Sequence, residues 1–186
     1  MIADFEGDLS QLLQTDDIQN PTPILITRNF VLFPGVIAPI LIGREASLNL
    51  IKAMKDKKDQ YFALFSQKDM NEDCPDFKDV YNIGVYAKIV KVLDIPGTDN
   101  TTAIVQGLGR CKLNGIVANF PYYTGDVEPL VNDTLNQEDK EIKTAVEELR
   151  KSALDYIARD ENLPNEAQFG VKNIGNAQVL VNYLSC

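Results

Sequence analysis

The chain has 186 residues, 45% of them hydrophobic and 24% charged, which is the composition of a globular domain with room for one appended region. It contains no histidine, which excludes Ser-His-Asp and Cys-His catalysis and imidazole metal sites, and its three cysteines lack metal-ligand spacing. Residues 21–129 hold 12 basic and 12 acidic residues, so this segment lacks the basic surplus expected of a nucleic-acid binder.

The first twenty residues contain five acidic residues and no basic one, which predicts a flexible acidic tail over residues 1–20. No basic and apolar leader segment opens the sequence, and the cysteines lie far apart at positions 74, 111 and 186. This pattern is typical of a reduced, cytoplasmic protein. We expect order to begin near Pro23, within a β domain that covers residues 21–130.

Two short apolar runs, residues 23–27 and 36–43, predict the first two strands. Pro39 lies inside the second run, which indicates an edge strand or a bulge because proline has no N–H for a ladder. Leu48, Ile51 and Met54 then follow helical spacing. Residues 61–65 predict a third strand, which an acidic loop follows.

A long hairpin is predicted next. Val85, Ala87 and Ile89 alternate within a strand over residues 80–95, residues 96–100 form a turn, and residues 101–117 return. Gly107 and Gly109 in the return strand indicate a bend or a bulge. With a last strand over residues 122–130, the segment is predicted to form six mostly antiparallel strands around one helix.

The final region is predicted to be helical. Asn136 is the predicted N-cap of a helix of about 24 residues, and a second helix is expected to begin at Asn176. The first helix carries an apolar stripe, expected to pack on the second and to drive self-association where it stays uncovered: Ile142, Val146, Leu149 and Ala153. The second helical run reaches Cys186 without a capping residue, so residues 131–186 are expected to be the truncated start of a helical bundle.

Candidate chemical sites are few. Residues 170–177 have the glycine spacing of a phosphate loop, but Asn176 and Ala177 stand where Lys and Ser or Thr are required, so a turn at a helix start is expected there. Cys111 lies between two basic residues, yet strand alternation points it inward, which favours a small buried side chain over a reactive thiolate. The sequence predicts no catalytic, cofactor-binding or metal-ligating residue in this chain.

A set of short blocks stands in a fixed order along residues 21–130: Phe33-Pro34, Gly43-Arg44, Ser47, Gln67-Lys68-Asp69, Gly84, and Gly107-Leu108 with Arg110. In this order the blocks resemble the amino-terminal domain of bacterial Lon, the ATP-dependent serine protease. The helical remainder is similar to the start of that family's following helical region.

The resemblance implies an α+β fold: a PUA-like, six-stranded, mostly antiparallel β pseudo-barrel with one helix, followed by a truncated helical subdomain. It also implies that these residues perform no chemistry, and that an ATPase module using ATP and Mg²⁺ and a Ser-Lys protease module lie outside this chain. The expected role is recognition of unfolded, damaged or tagged protein substrates in cytoplasmic protein quality control, degradation and stress response, and support of a hexameric ring. Neither a membrane nor a nucleic acid is an expected partner.

The loop between the first two strands is the candidate substrate-binding segment. A turn is hard to cover fully because its backbone needs water or a partner. The hypothesis is therefore an exposed apolar patch that binds hydrophobic segments of substrate proteins, formed by Phe30, Phe33, Pro34 and Val36. One alternative is a loop folded over the barrel end with Phe33 as a plug. Another alternative, for the whole chain, is a stand-alone PUA-like RNA-binding or adaptor domain.

Overall fold

The computed structural model of the chain describes residue 13 and residues 18–57, 60–94, 101–131, 135–136, 138–160 and 165–186. Most of the predicted acidic tail, and the predicted turn at residues 96–100, lie outside the described residues. Leu13 and Ile18, which fall within the predicted tail, pack against the barrel.

Six strands and four α-helices make up the described chain, with a short 3-10 turn at Phe77–Asp79. The strands are β1 Thr22–Thr27, β2 Ile37–Ile42, β3 Phe62–Ser66, β4 Ile83–Asp94, β5 Thr101–Ala118 and β6 Tyr123–Pro129. The helices are α1 Glu45–Met54, α2 Lys140–Arg159, α3 Asn165–Asn173 and α4 Ala177–Leu184. The α+β class and the strand count are confirmed.

The strands form one sheet in the order β2-β5-β4-β3-β1-β6, and β6 pairs back onto β5. Five strands thus close a ring, and β2 extends it at one edge of β5. This is possible because β5 is long: residues 101–106 pair with β2, whereas residues 111–118 pair with β6. Among the described pairings, β1 with β3 is parallel and the others are antiparallel. Pro39 lies in the edge strand β2, as predicted.

Apolar side chains fill both faces of β1 and β3, which explains their unbroken apolar runs. Leu25 and Leu64 belong to a cluster that includes β2 and α1, whereas Ile24 and Phe65 belong to a cluster on the other face. Irregular pairing between β4 and β5 places Leu108 as an extra residue between Gly107 and Gly109, so the predicted bulge is confirmed.

The helical region departs from the prediction at two points. The N-cap of α2 is Asp139, whose carboxylate accepts from the N–H of Glu141 at 2.8 Å, so Asn136 is not the cap and α2 has 20 residues. Asn136 instead accepts from the N–H of Glu138 in a turn before the helix. The helix α3 was not predicted. The helix α4 begins where the second helix was expected: its N-cap is Asn176, whose side-chain oxygen accepts from the N–H of Val179.

Candidate functional site

The loop between β1 and β2 is fixed by hydrogen bonds to the barrel. Thr27 Oγ1 donates to the carbonyl of Phe30 at 2.7 Å. The N–H of Gly35 donates to the carbonyl of Gly107, and the N–H of Gly107 donates to the carbonyl of Val36, both at 2.9 Å. Gly35 has a φ of 82°, a conformation that favours glycine. A Cβ at Gly107 would collide with the carbonyl of Phe33, so the loop lies directly on the bulge of β5.

The four loop residues singled out from the sequence lie together, at different depths. Val36 is 4% exposed, Pro34 is also buried, and Phe30 and Phe33 are half-buried against the main core cluster. The bonds to Gly107 satisfy the N–H of Gly35 and the carbonyl of Val36 without water, which allows this part of the loop to be buried.

The last helix covers part of the same loop. Asn182 in α4 donates through Nδ2 to the carbonyl of Pro34 at 2.8 Å, and this bond is buried. Tyr183 packs against the core cluster that contains Leu32 and Val36. The sequence reasoning expected α4 to contact α2 and did not anticipate its contact with the β domain.

An apolar groove lies beside this loop. It has a volume of about 430 Å³ and is lined by Val31, Leu32, Leu64, Ser66, Tyr81, Ile83 and Gly84. Its floor is buried Leu32 and Leu64, whereas its rim is accessible: Val31 is 51% exposed, Tyr81 55% and Ile83 43%. The sequence reasoning missed these rim residues. The available signal was an aromatic residue just before β4, Tyr81, and an aliphatic residue at its start, Ile83.

Only part of the predicted apolar stripe on α2 packs against other helices. Val146 and Ala153 pack against a cluster formed by α3 and α4, whereas Leu149 is exposed and Ile142 is half-buried. The packed face is centred on Arg150, whose guanidinium donates to the carbonyls of Val171 and Ile174 at the end of α3. These bonds satisfy carbonyls that a helix end leaves without intrahelical partners.

The ionisable groups near the barrel core are held in their neutral forms. Burial raises the pKa of the Cys111 thiol, and burial followed by proximity to Cys111 raises the pKa of Tyr86. Cys111 is therefore the small buried side chain that was predicted. In the part of the chain that the structure describes, no three Cys, Asp or Glu side chains converge as a metal site. The groove beside the β1–β2 loop therefore presents mainly apolar side chains.

No helix within the described ranges is long and apolar enough to cross a bilayer.

Comparisons with known proteins relate the chain to Lon proteases. A family model described as the ATP-dependent protease La (LON) substrate-binding domain matches residues 21–186. The Lon protease of Porphyromonas gingivalis is 39% identical over 184 residues, covering 97% of this chain and 21% of that protein. The Lon protease of Flavobacterium johnsoniae is 32% identical over 190 residues, covering 98% of this chain and 23% of that protein.

A solved structure has the same fold. The N-terminal domain of a Lon protease from the Mycobacterium avium complex superimposes with a TM-score of 0.63 at 21% identity, covering 87% of this chain and 79% of that one. The chain spans about a fifth of the length of the Lon proteases it matches.

Proposed function

The chain belongs to the substrate-binding domain family of the ATP-dependent Lon proteases, and from this premise we propose that it binds unfolded or damaged proteins through the groove beside the β1–β2 loop. The observation that carries the proposal is the accessible apolar rim of Val31, Tyr81 and Ile83 over a buried floor. Unfolded chains expose the apolar side chains that folded proteins bury, and such side chains fit a groove of this character.

The size of the groove implies weak binding. Removing about 200 Å² of apolar surface from water contributes about 5 kcal/mol at about 25 cal/mol per Å². Part of this is offset by the ordering of a flexible chain, so a single groove is expected to bind with a Kd near 1 mM. Several copies in a ring would raise the effective affinity without any new contact.

The loop residues Phe30, Phe33, Pro34 and Val36 remain part of the proposed substrate site, in a supporting role. Their packing sets the position of Val31 and Leu32, which face the groove. Phe33→Ser tests whether this aromatic ring contacts substrate or only plugs the barrel end. A contact predicts weaker substrate binding at nearly unchanged stability, whereas a plug predicts a large loss of stability.

We propose the following for the longer protein. It is an ATP-dependent Ser-Lys endopeptidase that uses ATP and Mg²⁺, forms a hexameric ring and degrades damaged proteins in the cytoplasm, including under stress. The present chain contributes substrate recognition and no catalytic residue. The α2 stripe of Ile142, Val146, Leu149 and Ala153 is proposed to support self-association through its accessible member Leu149.

The experiment is binding of reduced and carboxymethylated α-lactalbumin, a permanently unfolded protein, measured by fluorescence anisotropy. Tyr81→Ser and Ile83→Ser are each expected to weaken binding at least threefold, because each removes part of the groove rim. Tyr156→Ser, the same substitution at an exposed tyrosine on α2, is the matched control and should bind as the wild type does. Unchanged affinity in both groove variants would show that substrate binds elsewhere.

A further inference from the structure

A second cavity, of about 530 Å³, lies where the barrel wall is incomplete. β1 pairs with β6 only through Thr22–Ile24, and β2 pairs with β5, so the end of β1 and the edge of β2 face each other across a gap in the described strands. Leu25 and Ile40 contribute apolar wall, and Arg28, Arg44 and Ser47 contribute a polar end. None of these residues lines the apolar groove described above.

Arg44 has unused hydrogen-bonding capacity at this polar end. Its Nη2 donates to Oε1 of Gln67 and to the carbonyl of Glu72, the latter at 2.8 Å. Its Nε and Nη1 are buried and find no acceptor among the described residues. Buried guanidinium N–H groups without acceptors are unfavourable, and an anionic oxygen is the acceptor that suits them best.

The surroundings of Arg44 also favour an anion. Burial lowers the pKa of Arg44, and the positive charge of Arg28 lowers it further, with Tyr123 and Asp73 opposing. The single described ion pair of Arg28, with Asp73 at 2.7 Å, is exposed and therefore weak. Arg44 is also the N-cap residue of α1, and its side chain makes no cap bond. The first N–H groups of that helix therefore have no side-chain acceptor from Arg44, and they add positive potential beside it.

We propose that this cavity binds the terminal carboxylate of an extended polypeptide whose last side chain is aliphatic. The carboxylate lies at the polar end, beside Arg44 and the start of α1. The aliphatic side chain lies against Leu25 and Ile40, and these apolar walls favour a peptide end over inorganic phosphate. The proposal rests on the proposed function only in taking a polypeptide as the ligand, because no residue that lines this cavity lines the groove.

The smallest probe of this idea is N-acetyl-leucine, compared with N-acetyl-leucine amide, which has the same side chain without the charge. Both are titrated into the ¹⁵N-labelled chain by NMR, observing the Arg44 Nε–H signal and the backbone amides of Glu45 and Ala46. The acid is expected to shift these signals saturably, and the amide is expected to bind at least tenfold more weakly. Equal affinities, or no saturable shift with the acid, would overturn the proposal.

Variants separate this site from the groove. Arg44→Lys keeps the charge but loses the guanidinium and its bonds to Gln67 and Glu72. We expect at least tenfold weaker binding of the acid, together with a lower thermal stability. Arg110→Lys, at an exposed arginine that does not line the cavity, is the matched control and should bind as the wild type does. If Arg44→Lys is unstable, the acid-against-amide comparison on the wild type still decides the question.

Two further measurements separate the cavity from the groove and a peptide carboxylate from a general anion. Tyr81→Ser should bind N-acetyl-leucine normally, so loss of unfolded-protein binding in that variant and failure of the carboxylate proposal are distinguishable outcomes. Inorganic phosphate should compete at least tenfold more weakly than N-acetyl-leucine. Competition by phosphate at equal strength would identify a general anion site and overturn the assignment to a peptide end.

Discussion

The contact between α4 and the β1–β2 loop provides the sharpest test of how the two parts of the chain are joined. Asn182 is 8% exposed, and its amide donates to the carbonyl of Pro34 at 2.8 Å in a buried position. Asn182→Ala removes the donor and leaves the carbonyl of Pro34 buried without that partner. The helix itself should tolerate the change, because alanine has the highest helix propensity.

The size of the effect follows from the burial of the bond. Removing one partner of a buried hydrogen bond costs about 1–3 kcal/mol, because the remaining polar group is shielded from water and no longer has a hydrogen-bond partner in the protein. A central value of about 2 kcal/mol corresponds to a decrease in Tm of about 4–8 °C for a chain of this size. The loss should concentrate at the docking contact, so amide hydrogen exchange should accelerate in α4 before it does so in β5.

The assay is urea unfolding together with hydrogen exchange read by mass spectrometry. The matched control is Ser185→Ala, at the C-cap of the same helix. It removes an exposed hydroxyl that donates to the carbonyl of Val181 and should change stability by less than about 0.5 kcal/mol. If Asn182→Ala unfolds like the control and α4 exchanges at the wild-type rate, the bond to Pro34 does not hold the helix on the barrel.

Three further outcomes are expected. Gly107→Ala forces a Cβ against the carbonyl of Phe33, so the variant should unfold at lower urea than a control Gly115→Ala, where the added atom meets open space. Leu180→Ala leaves a cavity among α2, α3 and α4 and should cost about 2–5 kcal/mol in calorimetry. Burial raises the pKa of Cys111, so the unfolded chain loses this proton above about pH 8.5 while the folded chain keeps it. Stability should therefore fall between pH 8 and pH 10, and less steeply in Cys111→Ala, as measured by urea midpoints.

The positions of the strands were predictable because local chemistry and tertiary packing agree there, whereas their order in the sheet was not predicted. Side-chain alternation, glycine at a bulge and the missing N–H of proline are local features of the chain. They indicated β4, the bulge of β5 and the edge position of β2 without knowledge of tertiary contacts. At Gly107 the tertiary packing imposes the same choice, because a side chain at that position would meet the β1–β2 loop.

The N-cap of α2, the helix α3 and the groove could not be predicted from local sequence. Asn136 and Asp139 are both good capping residues, and the choice depends on which turn the chain enters first. α3 has nine residues with Gly170 inside, too short and too interrupted for its period to stand out. The groove combines a loop, the end of β3 and the start of β4, and its rim becomes visible only when those segments meet.

The ring of strands has a consequence for how the protein emerges from the ribosome. Among the described strands β1 is made first, yet one of its neighbours, β6, is made last. About a hundred residues separate them, which at about 5–20 residues per second leaves the β6-facing side of β1 unpaired for roughly 5–20 s. During that interval the apolar residues of β1 are exposed, as they are in the damaged proteins that the finished domain is proposed to bind. Incompletely synthesised copies of the same chain are therefore expected to be among its substrates.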